Sequence, residues 1–531
     1  MPVPAPAARP PLREVLDPAR GVSAGVELRS ASPAAVEMAG SLGFDVLVLD
    51  ARHAAVSPFS HQHEGLIRAA GPHGASVLVR APEFAPGTLN RILNDGAHGL
   101  IVPEVHSASD AERAAAACRY PPRGRRGAAP MVRSANFGLT PWDEYREAVT
   151  DGTVVLVSID TPEALAAAGA IAAVPGIDGV VFESAALAAW AGSDPAAATP
   201  AAVGAAAAVA AARATGRIVG ASAPSRAVAE AWRAAGATLL TGGDELSVFA
   251  RLAHELRATL DFLPGTGGER RGRSLRTRLD AGETILGTFS TLVEAPFIEI
   301  VGRVGFDFVI TDCEESPGDS FGMQLEDLVR AADAVDLVTT IRPVENRSGA
   351  INRAFNAGAQ AVYIPHVRNR ADCQYAVDAS LYPPLGRRGA APMVRAAGFG
   401  VEPWDAYHAR VNRDNLPLMM IEDLEGVESI EQIVDVPGLA GVLVGTWDLA
   451  VEMGCAEYGP PKPQVMVHVE HVMRTTVAKG LISSAHCWSA EAARKYHDLG
   501  ARMLIVSLDS TLLMQALREL EADAVALRSS S

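Results

Sequence analysis

Residues 120–145 read YPPRGRRGAAPMVRSANFGLTPWDEY, and residues 382–407 read YPPLGRRGAAPMVRAAGFGVEPWDAY. Twenty of these 26 positions are identical, at a constant offset of 262. Working outward, the same offset joins Phe44-Asp45 in GFDVLVLD to Phe306-Asp307 in GFDFVITD. It joins Arg80 in VLVRAP to Arg342 in TTIRPV, and Val174-Pro175-Gly176 to Val436-Pro437-Gly438. The offset holds from about residue 25 to 192, so the copies differ there by almost no insertions. A period this long is the duplication of a whole domain, not a stack of short repeats.

Each copy alternates short apolar runs with Ala-rich amphipathic stretches. In copy one the runs are 25–28, 46–49, 76–79, 99–102, 154–159, 179–182, 218–220 and 237–240. In copy two they are 284–289, 308–311, 337–341, 361–364, 416–421, 441–444, 482–484 and 503–506. Eight strand–helix units in about 250 residues predict an α/β chain of two tandem (β/α)8 TIM barrels. An open doubly wound sheet is the alternative, but no Gly-rich turn of the dinucleotide-binding kind follows a strand. The expected organisation is a disordered N-terminus (1–11), a first barrel (12–261), a linker (262–274, FLPGTGGERRGRS) and a second barrel (275–526).

Composition narrows the function classes. A formal net charge of −16 argues against a nucleic-acid footprint, which needs a basic patch. The five cysteines (Cys118, Cys313, Cys373, Cys455, Cys487) are odd in number and form no CxxC pair, as expected of reduced thiols in a cytoplasmic protein. The start, MPVPAPAARPPLREVL, lacks the apolar core of a secretory signal, and no run reaches the roughly 18 apolar residues of a membrane span. No membrane partner is expected.

In such barrels, chemistry gathers at the C-terminal ends of strands. After the second strand, copy one has Asp50 and His53, which read as a carboxylate orienting an imidazole base, or as a solvated loop. The matching pair in copy two is Asp312 and Glu315. Arg80 and Arg342 each end a β-branched run, where a guanidinium suits a carboxylate or a developing enolate oxygen; a surface ion pair is the plainer reading. Glu422 and Asp448 end successive strands and suit a hard divalent cation such as Mg2+ or Mn2+. Their mates in copy one are Asp160 and Ala186, so copy one is expected to lack the metal. His61 and His63, spaced i,i+2, read as incidental, His366 as a residue lining the pocket, and Cys487 as a buried small side chain.

These segments resemble the HpcH/HpaI family, the class II 4-hydroxy-2-oxo-acid aldolases. The carriers are GFD-x4-D-x2-H, the strand-end Arg, G-A-x-G-x-I-V-P (96–103), RYPPRGRRG, the I-E strand end, VPG-x-x-G and G-x-x-D-L. The resemblance runs over nearly the whole chain, once per copy. It implies barrels of the phosphoenolpyruvate/pyruvate-binding type that use Mg2+, Mn2+ or Co2+ to bind pyruvate. It also implies that they make or break a C–C bond through the pyruvate enolate, with a 2-oxo acid and an aldehyde as partners. By resemblance, the metal ligands fall on Glu422 and Asp448, and the enolate-stabilising arginine on Arg342, with Arg80 in copy one. The base pair falls on Asp50 and His53, and in copy two on Asp312 and Glu315. The family aspartate that reaches a neighbouring site falls on Asn94 and Asn356, which places Asn356 among the substrate-binding candidates. Trp447 beside Asp448 would wall the pocket. The implied assembly is a homo-oligomer, a trimer of pseudo-dimers.

Copy one thus keeps the imidazole without the metal pair, and copy two keeps the metal pair without the imidazole. The expectation is a lyase with catalysis in the second barrel and a degenerate first barrel. Two alternatives stand beside it. One is an acyl-CoA lyase of the citrate-lyase β type, toward which the Glu314-Glu315 pair leans. The other is a non-catalytic metabolite-binding fusion.

Overall fold

A computed structural model of the chain describes residues 10–54, 60–264, 266, 273–316, 323–457 and 460–529. Eight parallel strands close one barrel: β1 Ser23–Leu28, β2 Val46–Asp50, β3 Ser76–Arg80, β4 Gly99–Val102, β5 Val154–Ile159, β6 Gly179–Phe182, β7 Ile218–Ala223 and β8 Leu239–Asp244. A second set closes another: β9 Ile285–Ser290, β10 Phe308–Asp312, β11 Val338–Arg342, β12 Ala361–Ile364, β13 Leu416–Ile421, β14 Gly441–Val444, β15 Ile482–His486 and β16 Met503–Leu508. Val-, Ile- and Leu-rich runs form these strands because both faces of a closed parallel barrel are buried, one by the interior and one by helices. Inside the second barrel Phe308, Tyr363, Leu418, Met420 and Met503 pack together. Val48, Leu78, Ile101, Leu156 and Val181 do so in the first.

The GFD motif is structural. Gly43 and Gly305 take φ of 87° and 101°, left-handed values that favour glycine. The aspartate that follows accepts a backbone N–H of the preceding strand. Asp45 Oδ2 accepts from Ala24 at 2.8 Å, and Asp307 Oδ2 from Leu286 at 2.9 Å. Each aspartate therefore fixes the start of one strand to its neighbour.

The repeat and the packing unit divide the chain differently. One compact unit comprises residues 1–249 and 513–531, the other residues 250–512. In the first unit Leu520 Cδ1 lies 2.6 Å from where a Cβ on Gly242 would stand, and Arg226 Nη1 lies 3.6 Å from Asp523 Oδ1. In the second, Arg257 Nε donates to Gly305 O at 3.1 Å, and Arg494 stacks 3.9 Å over the Phe262 ring. Each unit completes its outer layer with helical residues that follow the other repeat's last strand in sequence. The packing units divide at 249/250 and 512/513, and residues 265 and 267–272 of the expected linker, like residues 1–9 of the expected disordered N-terminus, lie outside the described residues.

Candidate active site

The second barrel's mouth is built around Arg342, the last residue of β11. Asp312 ends the neighbouring strand β10 and pairs in register with Arg342. Two parallel bonds hold the guanidinium: Nε to Asp312 Oδ1 at 2.8 Å and Nη2 to Oδ2 at 2.7 Å. Nη1 meets Glu314 Oε2 at 2.9 Å. Arg342 Cζ lies 5.4 Å from the Phe289 ring centre, a cation–π contact. A guanidinium has five N–H groups. Three are engaged by these carboxylates, and two have no partner among the described residues.

Glu314 is the residue that sequence alignment passed over. Asp312 Oδ1 accepts from the N–H groups of Glu314 (3.0 Å) and Glu315 (3.4 Å), a turn that Asp50 repeats with Arg52 (2.9 Å) and His53 (3.0 Å). The turn aligns Glu315 with His53, yet the Glu315 side chain is exposed. The Glu314 carboxylate is drawn inward by Arg342 and by His366 Nε2 at 3.0 Å. Of the two adjacent glutamates, Glu314 is the one brought against Arg342 and His366. Burial, opposed by the charge of Arg342 and reinforced by that of Glu422, pushes Glu314 up to about 7.

Glu422 follows β13 and is buried. Its Oε2 accepts from the His366 backbone N–H at 2.8 Å and lies 3.4 Å from His366 Nδ1. His366 follows β12 in a left-handed conformation, φ 55°, as does its mate Glu104 at φ 61°. Such a conformation costs a non-glycine residue energy and is concentrated at functional sites. Burial raises the Glu422 carboxyl above its usual value, and the Asp448 charge adds to the rise. A cation between two carboxylates relieves this repulsion. Gly445 is what admits Glu422, since a Cβ there would stand 2.6 Å from Glu422 Cγ. Asp448 and Trp447 lie exposed on the helix Thr446–Glu452 after β14. Among the described residues no group of three or more His, Cys, Asp or Glu side chains is poised for a metal. Glu422 and Asp448 are oxygen donors of the kind that would suit a hard divalent cation.

Asn356 lies on the helix Ser348–Ala357 and accepts from Arg388 Nη2 at 2.7 Å. Its mate Asn94 accepts from Arg126 Nη2 at 2.9 Å. Each asparagine holds the second arginine of a GRRG segment. His486, ending β15, was not singled out from the sequence. Its ring sits edge-on to Phe289 at 6.3 Å, and burial pushes it down to about 4, which keeps it neutral.

The first barrel's mouth is a different object. All five N–H groups of Arg80 are taken. Nε and Nη2 donate to Glu183 (3.1 and 3.2 Å), Nη1 and Nη2 to Glu27 (3.0 and 2.9 Å), and Nη1 also to Asp50 (3.0 Å). Glu27 stands where the second barrel has Phe289, and Glu183 where it has Gly445. Arg52, the mate of Glu314, bonds Asp160 Oδ2 at 2.7 Å. His53 Nδ1 meets Asp50 Oδ2 at 2.9 Å, so the expected pair forms, with the imidazole about half exposed. His63 is buried against Asp95 at 3.2 Å, a packing role. Cys487 is buried, and its thiol is pushed up to about 12.

The model of the HpcH/HpaI aldolase/citrate lyase family matches residues 24–251 and again 286–516. The chain belongs to this family. A hydroxypyruvate/pyruvate aldolase of Pseudomonas aeruginosa is 31% identical over 252 residues, 46% of this chain and 90% of that protein. A 4-hydroxy-2-oxo-heptane-1,7-dioate aldolase of Shigella boydii is 29% identical over 47% of this chain and 94% of its own length. Among solved structures, an HpcH/HpaI aldolase/citrate lyase family protein of Burkholderia cenocepacia is similar, with 29% identity, coverage of 46% and 96%, and a TM-score of 0.43. No helix among the described residues is long and apolar enough to cross a membrane.

Proposed function

We propose that this HpcH/HpaI family chain is a metal-dependent carbon–carbon lyase that cleaves or forms a 4-hydroxy-2-oxo acid, and that the second barrel alone performs the reaction. The observation that carries this reading is the buried Glu422, raised further by the charge of Asp448, beside an Arg342 with two N–H groups unpartnered among the described residues. A divalent cation held by Glu422 and Asp448 would supply Lewis-acid polarisation of the 2-oxo acid.

The side chains of the chain divide the remaining work. Asp312 fixes the Arg342 fork, whose free N–H groups stabilise negative charge on the substrate's C2 oxygen as the enolate develops. Glu314, poised near neutrality beside His366, takes the proton of the C4 hydroxyl. The C3–C4 bond then breaks, an aldehyde leaves, and the bond electrons form the pyruvate enolate. Return of a proton to C3 gives pyruvate. Phe289 and His486 form an apolar, uncharged wall behind the arginine. Trp447 offers aromatic surface to the aldehyde. The chemistry resides in the cytoplasm, and the chain works as a homo-oligomer.

The test is exchange of pyruvate methyl protons with D2O in the presence of Mn2+ or Mg2+, which detects the enolate without knowledge of the aldehyde. Exchange by the wild type that vanishes in Glu422→Gln supports the proposal. Absence of exchange in the wild type supports a non-catalytic fusion instead.

A further inference from the structure

The first barrel has a second cavity, at its far end from the mouth. About 630 Å3 in volume, it is bordered by Ala75, Ala97, His98 and Thr153, which precede β3, β4 and β5. Two guanidiniums reach it, Arg126 and Arg133. Arg126 is 3% exposed. Its Nε and Nη2 donate to the amide oxygens of Asn90 (3.0 Å) and Asn94 (2.9 Å), and its face stacks 4.6 Å from the Tyr120 ring centre. Its Nη1 is buried with no hydrogen-bond partner among the described residues. Arg133 Nη1 donates to the backbone carbonyl of Asp95 at 2.7 Å. Neither arginine forms an ion pair with a carboxylate among the described residues, and none of the described lining residues is acidic.

His98 adds a donor. Its Nδ1 accepts from the Val77 N–H at 3.0 Å, which leaves the proton on Nε2. Burial and the nearby Arg133 hold this histidine below its usual value, so the ring stays neutral. Leu12, Leu93 and Val149 supply apolar wall. A buried cation without a counter-charge is costly, and all the more informative in a chain of net charge −16.

In the second barrel Arg388, the counterpart of Arg126, is also buried with Nη1 unpartnered among the described residues, and the two barrels differ at the outer arginine. The second barrel's corresponding cavity, about 900 Å3, carries Arg395 in place of Arg133. There Asp333 pairs with Arg395, and Asp414 with Arg413. At the offset of 262, Gly71 stands opposite Asp333 and Gly152 opposite Asp414. The first barrel has the arginine without the acids.

We infer that the far-end cavity of the first barrel binds an amphipathic organic anion, its carboxylate or phosphate held by Arg126, Arg133 and His98 and its body against the apolar wall. This gives the first barrel a ligand-binding role that does not depend on the chemistry of either mouth.

The experiment is calorimetric titration of the full chain with phenylacetate and with benzyl phosphate, which separates the two head groups. Inorganic phosphate and benzylamine serve as controls. One saturable site per chain is expected for at least one organic anion, with no binding of benzylamine. Gly71 has an ordinary helical φ of −57° and open space at its Cβ, so Gly71→Asp introduces the missing acid without strain. Gly71→Asp and Arg133→Gln are each expected to weaken binding at least about tenfold. No saturable binding of either anion, or an affinity unchanged in Gly71→Asp, overturns the inference. Inorganic phosphate binding as tightly as benzyl phosphate overturns the amphipathic part of it.

Discussion

Arg80 and Arg342 occupy equivalent strand ends of two barrels from one duplication, yet only one of them has anything left to give. Arg80 is enclosed by Glu27, Asp50 and Glu183, which take every N–H it has. Arg342 meets two carboxylates and an aromatic face, and keeps two N–H groups. The difference comes from a few exchanges at fixed positions: Glu27 for Phe289, Glu183 for Gly445, Arg52 for Glu314, and Asp160 for Glu422. Glu183 and Asp160 in the first barrel are the counterparts of the Gly445 gap and the longer Glu422 that fills it. The first arginine is thereby held within the structure by Glu27, Asp50 and Glu183.

The comparison breaks most sharply at the metal pair. Glu422→Gln or Asp448→Asn is expected to lower kcat by about a thousandfold or more, since metal polarisation contributes several kcal/mol. Asp160→Ala is expected to leave turnover unchanged, with both read by the rate of pyruvate release from a 4-hydroxy-2-oxo acid. Next come the arginines, with effects of opposite kind. Arg342→Gln should cost about a hundred- to a thousandfold in kcat, the scale for losing an oxyanion donor. Arg80→Gln should leave kcat intact and cost about 3–5 kcal/mol of stability in urea unfolding, because it strands buried carboxylates.

The acid–base prediction separates adjacent residues. Glu314 is held near 7, so its basic form grows as pH rises, and kcat/KM should fall as pH drops through about 7. Glu314→Gln is expected to lose that limb and about a hundredfold or more in rate, while Glu315→Gln changes neither. His53→Ala is expected to be silent in the same profile. The smallest effect sharpens the packing argument. Gly445→Ala would place a Cβ 2.6 Å from Glu422 Cγ, and should weaken Mn2+ affinity by about tenfold while costing about 1–3 kcal/mol in urea unfolding.

Much of the fold was legible because duplication and burial both write periodic signals. Strands 99–102, 154–159, 179–182, 361–364, 416–421 and 441–444 run over the same residues in sequence pattern and in structure. β8 was read as 237–240 but runs Leu239–Asp244, since barrel closure pairs its polar Thr241 and Gly242 with Gly25 and Val26 of β1. The composition of the packing units left no mark, because a helix carries its apolar face whichever barrel it covers. Arg342, Glu422 and Asp448 stood out because charge at the end of an apolar run is conspicuous. Glu314 did not, since the choice between two adjacent glutamates is made by Arg342 and His366, which are distant in sequence. Glu27 and Glu183 were visible as acids within or after apolar runs, and their meaning appeared only when both converged on Arg80.

The central claim is one working site per chain, in the second barrel. Equilibrium dialysis of Mn2+ against the full chain, read by electron paramagnetic resonance, tests it most directly. The account predicts one tightly bound ion per chain in the wild type and in Asp160→Ala, and none in Asp448→Ala. Two ions per wild-type chain, or one ion surviving in Asp448→Ala, would contradict it.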